Sequence, residues 1–127
     1  MPPPATPGGV PAYAELHCRS HFSFLTGASH PEGLVARAHE LGYAALAITD
    51  ECSLAGVVRA HVQAKRLCLH LIVGAEMRLA TAMSGAEPGA RLVLLAQSRR
   101  GYGNLAQWIS VARRRADKGT YIAQMSD

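Results

Sequence analysis

Ala44-Ala45-Leu46-Ala47-Ile48-Thr49, followed at once by Asp50-Glu51, decides the fold. Six residues without charge, then two carboxylates, describe a strand buried on both faces that delivers polar groups at its end. Strands of that kind belong to parallel sheets covered by helices. Ala14-Glu15-Leu16-His17-Cys18 and Leu69-His70-Leu71-Ile72-Val73 read as strands on either side of it in sequence, and Arg91–Gln97 as a later one. Between them the apolar period lengthens to that of helices. Ser29-His30-Pro31-Glu32 opens the first, with Ser29 as N-cap and Pro31 in the first turn; Leu34, Val35, Ala38 and Leu41 form its apolar face, and Gly42 stops it. A second helix spans about Leu54 to Leu67. A third spans about Tyr102 to Arg115, with Leu105, Trp108, Ile109 and Ala112 as its buried stripe. Gly74 to Leu79 reads as a turn and a short added strand, Thr81 to Ala90 as a loop, and Thr120-Tyr121-Ile122 as the start of another element.

The order is β-α-β-α-β-(β)-β-α, an α/β fold with right-handed crossovers. A closed βα barrel takes ~250 residues. The 127 residues here hold about three and a half units, so the chain reads as the opening units of a larger, incomplete barrel and as a truncated part of a longer protein.

Composition sets the outer limits. The chain is 49% hydrophobic and 17% charged, a globular balance, and no apolar run reaches the ~20 residues of a membrane span. Residues 1–12 are rich in Pro and Gly and lack the basic and apolar regions of a signal peptide; they read as a flexible leader before a folded segment 13–127. The cytoplasm is the expected compartment. Three cysteines without a CxxC spacing give neither a disulfide framework nor a zinc ribbon, and read as small buried or half-buried thiols. The net charge of +4 is uneven: residues 1–90 are slightly acidic, whereas Arg99, Arg100, Arg113, Arg114 and Arg115 gather near the C-terminal end. Such a cluster suits a phosphate-bearing partner such as DNA; the alternative is a solvated basic helix face.

Three strands end in groups able to bind metal: His17 with Arg19 two residues on, Asp50-Glu51, and Glu76. In βα barrels the strand ends are where chemistry sits. His21 is a weaker ligand candidate; His30 and His39 read as surface residues, and His61 and His70 lack ligand spacing to the site.

These motifs, in this order, resemble the polymerase and histidinol phosphatase (PHP) domain at the N-terminus of C-family bacterial DNA polymerases, and Ile48-Thr49-Asp50-Glu51-Cys52 is closest to the error-prone branch. The resemblance runs from residue 13 onward. It implies a parent DNA polymerase that copies past lesions by nucleotidyl transfer, using Mg2+ at carboxylates of a palm domain outside these residues. It implies DNA as partner, with other damage-tolerance proteins and a sliding clamp as further candidates. In the family a His-x-His pair, an Asp-His pair in Thr-Asp-His-Gly, and a Glu gather metals for phosphoester hydrolysis. Here Arg19 stands in the second histidine's place, and Glu51-Cys52 replaces His-Gly. A guanidinium stays protonated and offers only donors, so it is no metal ligand. The resemblance therefore implies a degenerate site in which Arg19 supplies the charge of a metal to Asp50, Glu51 and Glu76. Three readings stay open: an ion-paired relic without tightly bound cofactor, a reduced site of His17, Asp50, Glu51 and Glu76 that keeps a divalent metal, and a working phosphoesterase. A domain that only binds DNA or protein is a further alternative.

Overall fold

The computed structural model describes residues 11–80 and 89–127. The leader expected over 1–12 and the loop expected over 81–90 fall largely outside them. The elements in order are β1 (Ala14–Cys18), α1 (Pro31–Glu40), β2 (Ala45–Glu51), α2 (Val57–Leu67), β3 (His70–Arg78), β4 (Arg91–Leu95) and α3 (Arg99–Arg114). The strands form one sheet in the order β1-β2-β3-β4. The first three are parallel and β4 runs antiparallel to β3.

All three helices cover one face. Leu46 and Ile48 of β2 pack with Val35 and Ala38 of α1 and with Ala60 and Ala64 of α2. Met77 of β3 packs with Ala112 of α3, beside Leu94, Trp108 and Ile109. Leu46 is in register with Leu71, which lies an even number of residues from Met77, so both clusters share a face of the sheet. Burying a side chain such as Val35 or Met77, each 0% exposed, contributes about 1.5–3 kcal/mol. The result is a half-barrel, helices outside, with the C-terminal ends of β1, β2 and β3 at one rim.

Several local readings are corrected. Gly74 is no turn: β3 runs straight through it to Arg78, and the separate short strand does not exist. The glycine is needed because a Cβ there would stand 2.5 Å from the Leu94 carbonyl oxygen of β4. Ser29 does not cap α1. His30 occupies the N-cap position without a side-chain bond, and the Ser29 carbonyl accepts from the His21 N–H instead. α3 starts three residues before Tyr102, because the Ser98 hydroxyl accepts from the Gly101 N–H and caps it. Leu41 is exposed, and so is Cys68, which ends α2 in a left-handed conformation. In place of a new element after Thr120, Ala123 forms an isolated parallel bridge with Leu79.

One irregularity positions the site. Glu15 pairs with Leu46, yet Cys18 pairs with Ile48, so β1 carries one residue more than β2 over the same span. An extra residue reverses the alternation of side chains beyond it. His17 and Arg19 are thereby turned toward the face that bears Glu51 and Glu76.

Candidate functional site

Glu51 and Glu76 are register partners on β2 and β3. Two carboxylates directly opposite each other repel, and Glu76 is 1% exposed, so water screens it little. Arg19 answers both. One end of its guanidinium pairs with Glu76, and Nη1 lies 3.7 Å from Glu51 while donating to the Thr26 hydroxyl at 2.9 Å. His17 Nε2 lies 3.2 Å from Glu76, and Arg91 Nε approaches the same carboxylate at 3.5 Å from β4. Both Glu76 oxygens are buried, and neither has a hydrogen-bond partner of good alignment, so charge contacts hold this group.

Asp50 is separate from that cluster, contrary to the expectation that Arg19 would face all three carboxylates. It is 1% exposed and accepts from the Ser20 N–H at 2.8 Å, the Ser20 hydroxyl at 2.7 Å and the Ser23 hydroxyl at 2.7 Å. The β1–α1 loop is wound around it. Gly27 makes that winding close enough, since a Cβ there would stand 2.0 Å from the Ser20 carbonyl oxygen. Charge-assisted bonds of this kind contribute ~1.5–3 kcal/mol each.

Glu51 has a second partner. The Tyr121 hydroxyl donates to it at 2.8 Å and accepts from the Arg78 N–H at 3.0 Å. Burial, and then this bond to Glu51, push the Tyr121 phenol up to about 12. Beside Glu51, Cys52 takes a left-handed conformation, φ 46°, at the position where the resemblance expects glycine. Its thiol is buried, and that burial raises its pKa. A groove of about 410 Å³ opens here between Phe22, Phe24, Glu51, Arg113 and Tyr121. A similar but more apolar cavity, about 430 Å³ between β4 and Trp108 of α3, lies away from these charged groups.

The C-terminal arginines do not form one patch. Arg113 donates from Nε and Nη2 to the Cys52 carbonyl and lies over the Tyr121 ring, 5.4 Å from its centroid. Arg115 pairs with Asp127, Nη1 and Nη2 both donating, which holds the Asp127 carboxyl far below the usual carboxylate range. Arg99 and Arg100 are exposed at the opposite end of α3, and Arg114 is exposed near Arg113. His21 lies against Phe22 and His30, not against the carboxylates.

The resemblance implies metal here, and the residues do not fit it. The buried, poorly aligned Glu76 oxygens have the character of a ligand, but two guanidiniums and one imidazole crowd them, and Asp50 is spent on serines. Among the described residues no group of three His, Cys, Asp or Glu side chains is placed to hold a metal ion. Sequence reasoning missed Arg91, Ser20, Ser23 and Tyr121. Ser20 and Ser23 were visible only as polar residues after a strand; Arg91 and Tyr121 gave no local signal.

Comparison with known proteins agrees with this architecture. The PHP domain family model matches residues 15–126. An error-prone DNA polymerase of Bordetella parapertussis is 61% identical over 119 residues, covering 93% of this chain and 11% of that protein. Those of Dechloromonas aromatica and Methylococcus capsulatus are 59% and 62% identical, over 93% and 86% of this chain. The chain thus spans about a tenth of the length of these relatives, 10–11%. Among solved structures, an amidohydrolase from Chromobacterium violaceum matches with a TM-score of 0.63 and 26% identity over 81% of this chain and 34% of its own. A Bifidobacterium adolescentis protein assigned as a metal-dependent phosphoesterase matches in fold, with a TM-score of 0.57 and 23% identity over 90% of this chain and 37% of its own. Half-barrel, motif order and family match coincide, and the chain belongs to the PHP domain family.

Proposed function

We propose that residues 13–127, after a leader of residues 1–12, are the N-terminal part of the PHP domain of an error-prone DNA polymerase. The parent would copy DNA past lesions by nucleotidyl transfer in the cytoplasm, with Mg2+ at carboxylates elsewhere in the protein. DNA is then its partner, with damage-tolerance proteins and the sliding clamp as further ones. The relatives' names and their 59–62% identity support this reading. Among the described residues no helix is long and apolar enough to cross a membrane.

The segment's own role is structural, and the site holds no tightly bound metal. One observation carries this: Arg19 sits against both Glu51 and Glu76, putting fixed positive charge where a cation would bind. Its pairing with Glu76 ties the end of β1 across β2 to β3. The competing reading, a phosphoesterase or a reduced metal site, draws on the fold neighbour assigned as metal-dependent. Elemental analysis of the purified protein after chelation and repletion with zinc or manganese decides between them. Substoichiometric metal is expected; two or three tightly held ions per chain would overturn the reading.

A further inference from the structure

The parallel strands begin at one end of the sheet and bring their carboxylates to the other. The last turn of α2, which leads into β3, lies at the starting end, and so does the first turn of α3, which follows the antiparallel β4. Lys65 and Arg66 occupy the first of these turns, His70 the start of β3, and Arg99 and Arg100 the second. All five are exposed, and among the described residues none is in an ion pair. The carboxylates near this end are occupied: Arg37 pairs with Glu40, and Glu15 accepts from the Tyr13 hydroxyl and the His17 N–H. Arg114, the exposed cation at the far end of α3, is 15 residues from Arg99, about 22 Å at the helical rise.

We propose that this end of the half-barrel, remote from the carboxylate site, is a docking surface for the phosphate backbone of a nucleic acid. Four permanent cations from two elements converge on it, and among the described residues no acid pairs with them. A groove of about 320 Å³ between His70, Ile72, Gln97, Arg99 and Tyr102 opens beside Arg99. Tyr102 is 41% exposed at its edge and offers a ring on which a base can stack. An anionic bilayer is the less suited partner, because stable attachment needs apolar anchors beside the cations. Among the described residues neither of these turns exposes a large aliphatic side chain; Leu41, at the end of α1, is an exposed one at this end of the sheet. The inference stands on charge placement in this chain, and it holds or fails independently of the polymerase reading.

The test is fluorescence anisotropy of a labelled DNA duplex with the full chain. If four phosphates are neutralised, affinity falls about 100-fold between about 50 and about 200 mM salt. Lys65→Gln with Arg66→Gln, or Arg99→Gln with Arg100→Gln, removes two contacts and reduces that dependence to about tenfold. Arg114→Gln leaves the slope unchanged. Far-UV circular dichroism confirms that each variant keeps its fold; the substituted side chains are all exposed. The proposal is overturned if the duplex does not bind, if Arg114→Gln weakens binding as much as either pair, or if the chain binds phosphatidylserine vesicles but not DNA.

Discussion

Replacing Arg19 by alanine removes the cation shared by Glu51 and Glu76. Deleting one partner of a buried ion pair typically costs ~3–5 kcal/mol, because the other charge is left buried. Two groups remain to soften the loss. Arg91 and His17 still face Glu76, but their side chains are 50% and 49% exposed. Half-exposed pairs contribute about 0–1 kcal/mol each. The net cost is then about 2–4 kcal/mol, and for a domain of this size the melting temperature falls by about 7–15 °C. Thermal denaturation followed by circular dichroism measures it. Glu76→Gln supplies the control, since the doubly substituted chain no longer buries an uncompensated charge. Arg19→Ala with Glu76→Gln is expected to regain more than half of the loss. Melting of Arg19→Ala like the parent, or a double variant less stable than Arg19→Ala, would show that Arg19 is not the counter-charge.

Other outcomes follow from the same geometry. Arg19→His combined with Glu51→His restores the ligand pattern that the family resemblance implies. It should gain stabilisation by manganese in paired melts with and without the ion, whereas an equal manganese response in the unaltered protein would refute the surrogate role of Arg19. Ser20→Ala removes a hydroxyl that donates to buried Asp50, and urea titration should show a loss of about 1.5–3 kcal/mol. Gly74→Ala drives a Cβ onto the Leu94 carbonyl and should cost about 1–3 kcal/mol by forcing β3 and β4 apart; a neutral result would mean the strands are loosely paired. Tyr121 has a folded-state pKa of about 12, above the ~10 of an unfolded phenol. The stability this contributes is intact below pH ~10 and is lost as pH rises through 12, so denaturant melts at alkaline pH should weaken in the parent and flatten in Tyr121→Phe.

Strands and helices were legible where one physical signal dominated. The apolar run before Asp50 could only be a buried strand, and β1 matches its reading residue for residue. Errors arose where a residue had two uses. Glycine breaks strands by default, but Gly74 is there to let β4 approach. Ser29 had the right chemistry for a cap, yet the loop around Asp50 claims its carbonyl and the helix begins one residue later. Ser98 was overlooked because Gly101 and Gly103 weaken the helical pattern just after it. At the site, the motif residues were visible but their partners were not. Arg91 reaches Glu76 across an antiparallel pairing, and Tyr121 reaches Glu51 across 70 residues of chain. Nor did the run of arginines reveal that Arg113 serves the Cys52 carbonyl while Arg99 faces away at the other end.

The extra residue in β1 makes the site sensitive to counting as well as to identity. Every side chain from His17 onward in that strand owes its direction to one added position. Deleting Leu16 alone would leave every charged residue in the chain and yet send Arg19 to the helix side, toward a core of Ile48 and Val35. A one-residue insertion would do the same. The segment between Glu15 and Cys18 should therefore tolerate exchange of side chains far better than any change of length, and lineages that lose this spacing would have to rebuild the charge balance of Glu76 from another strand.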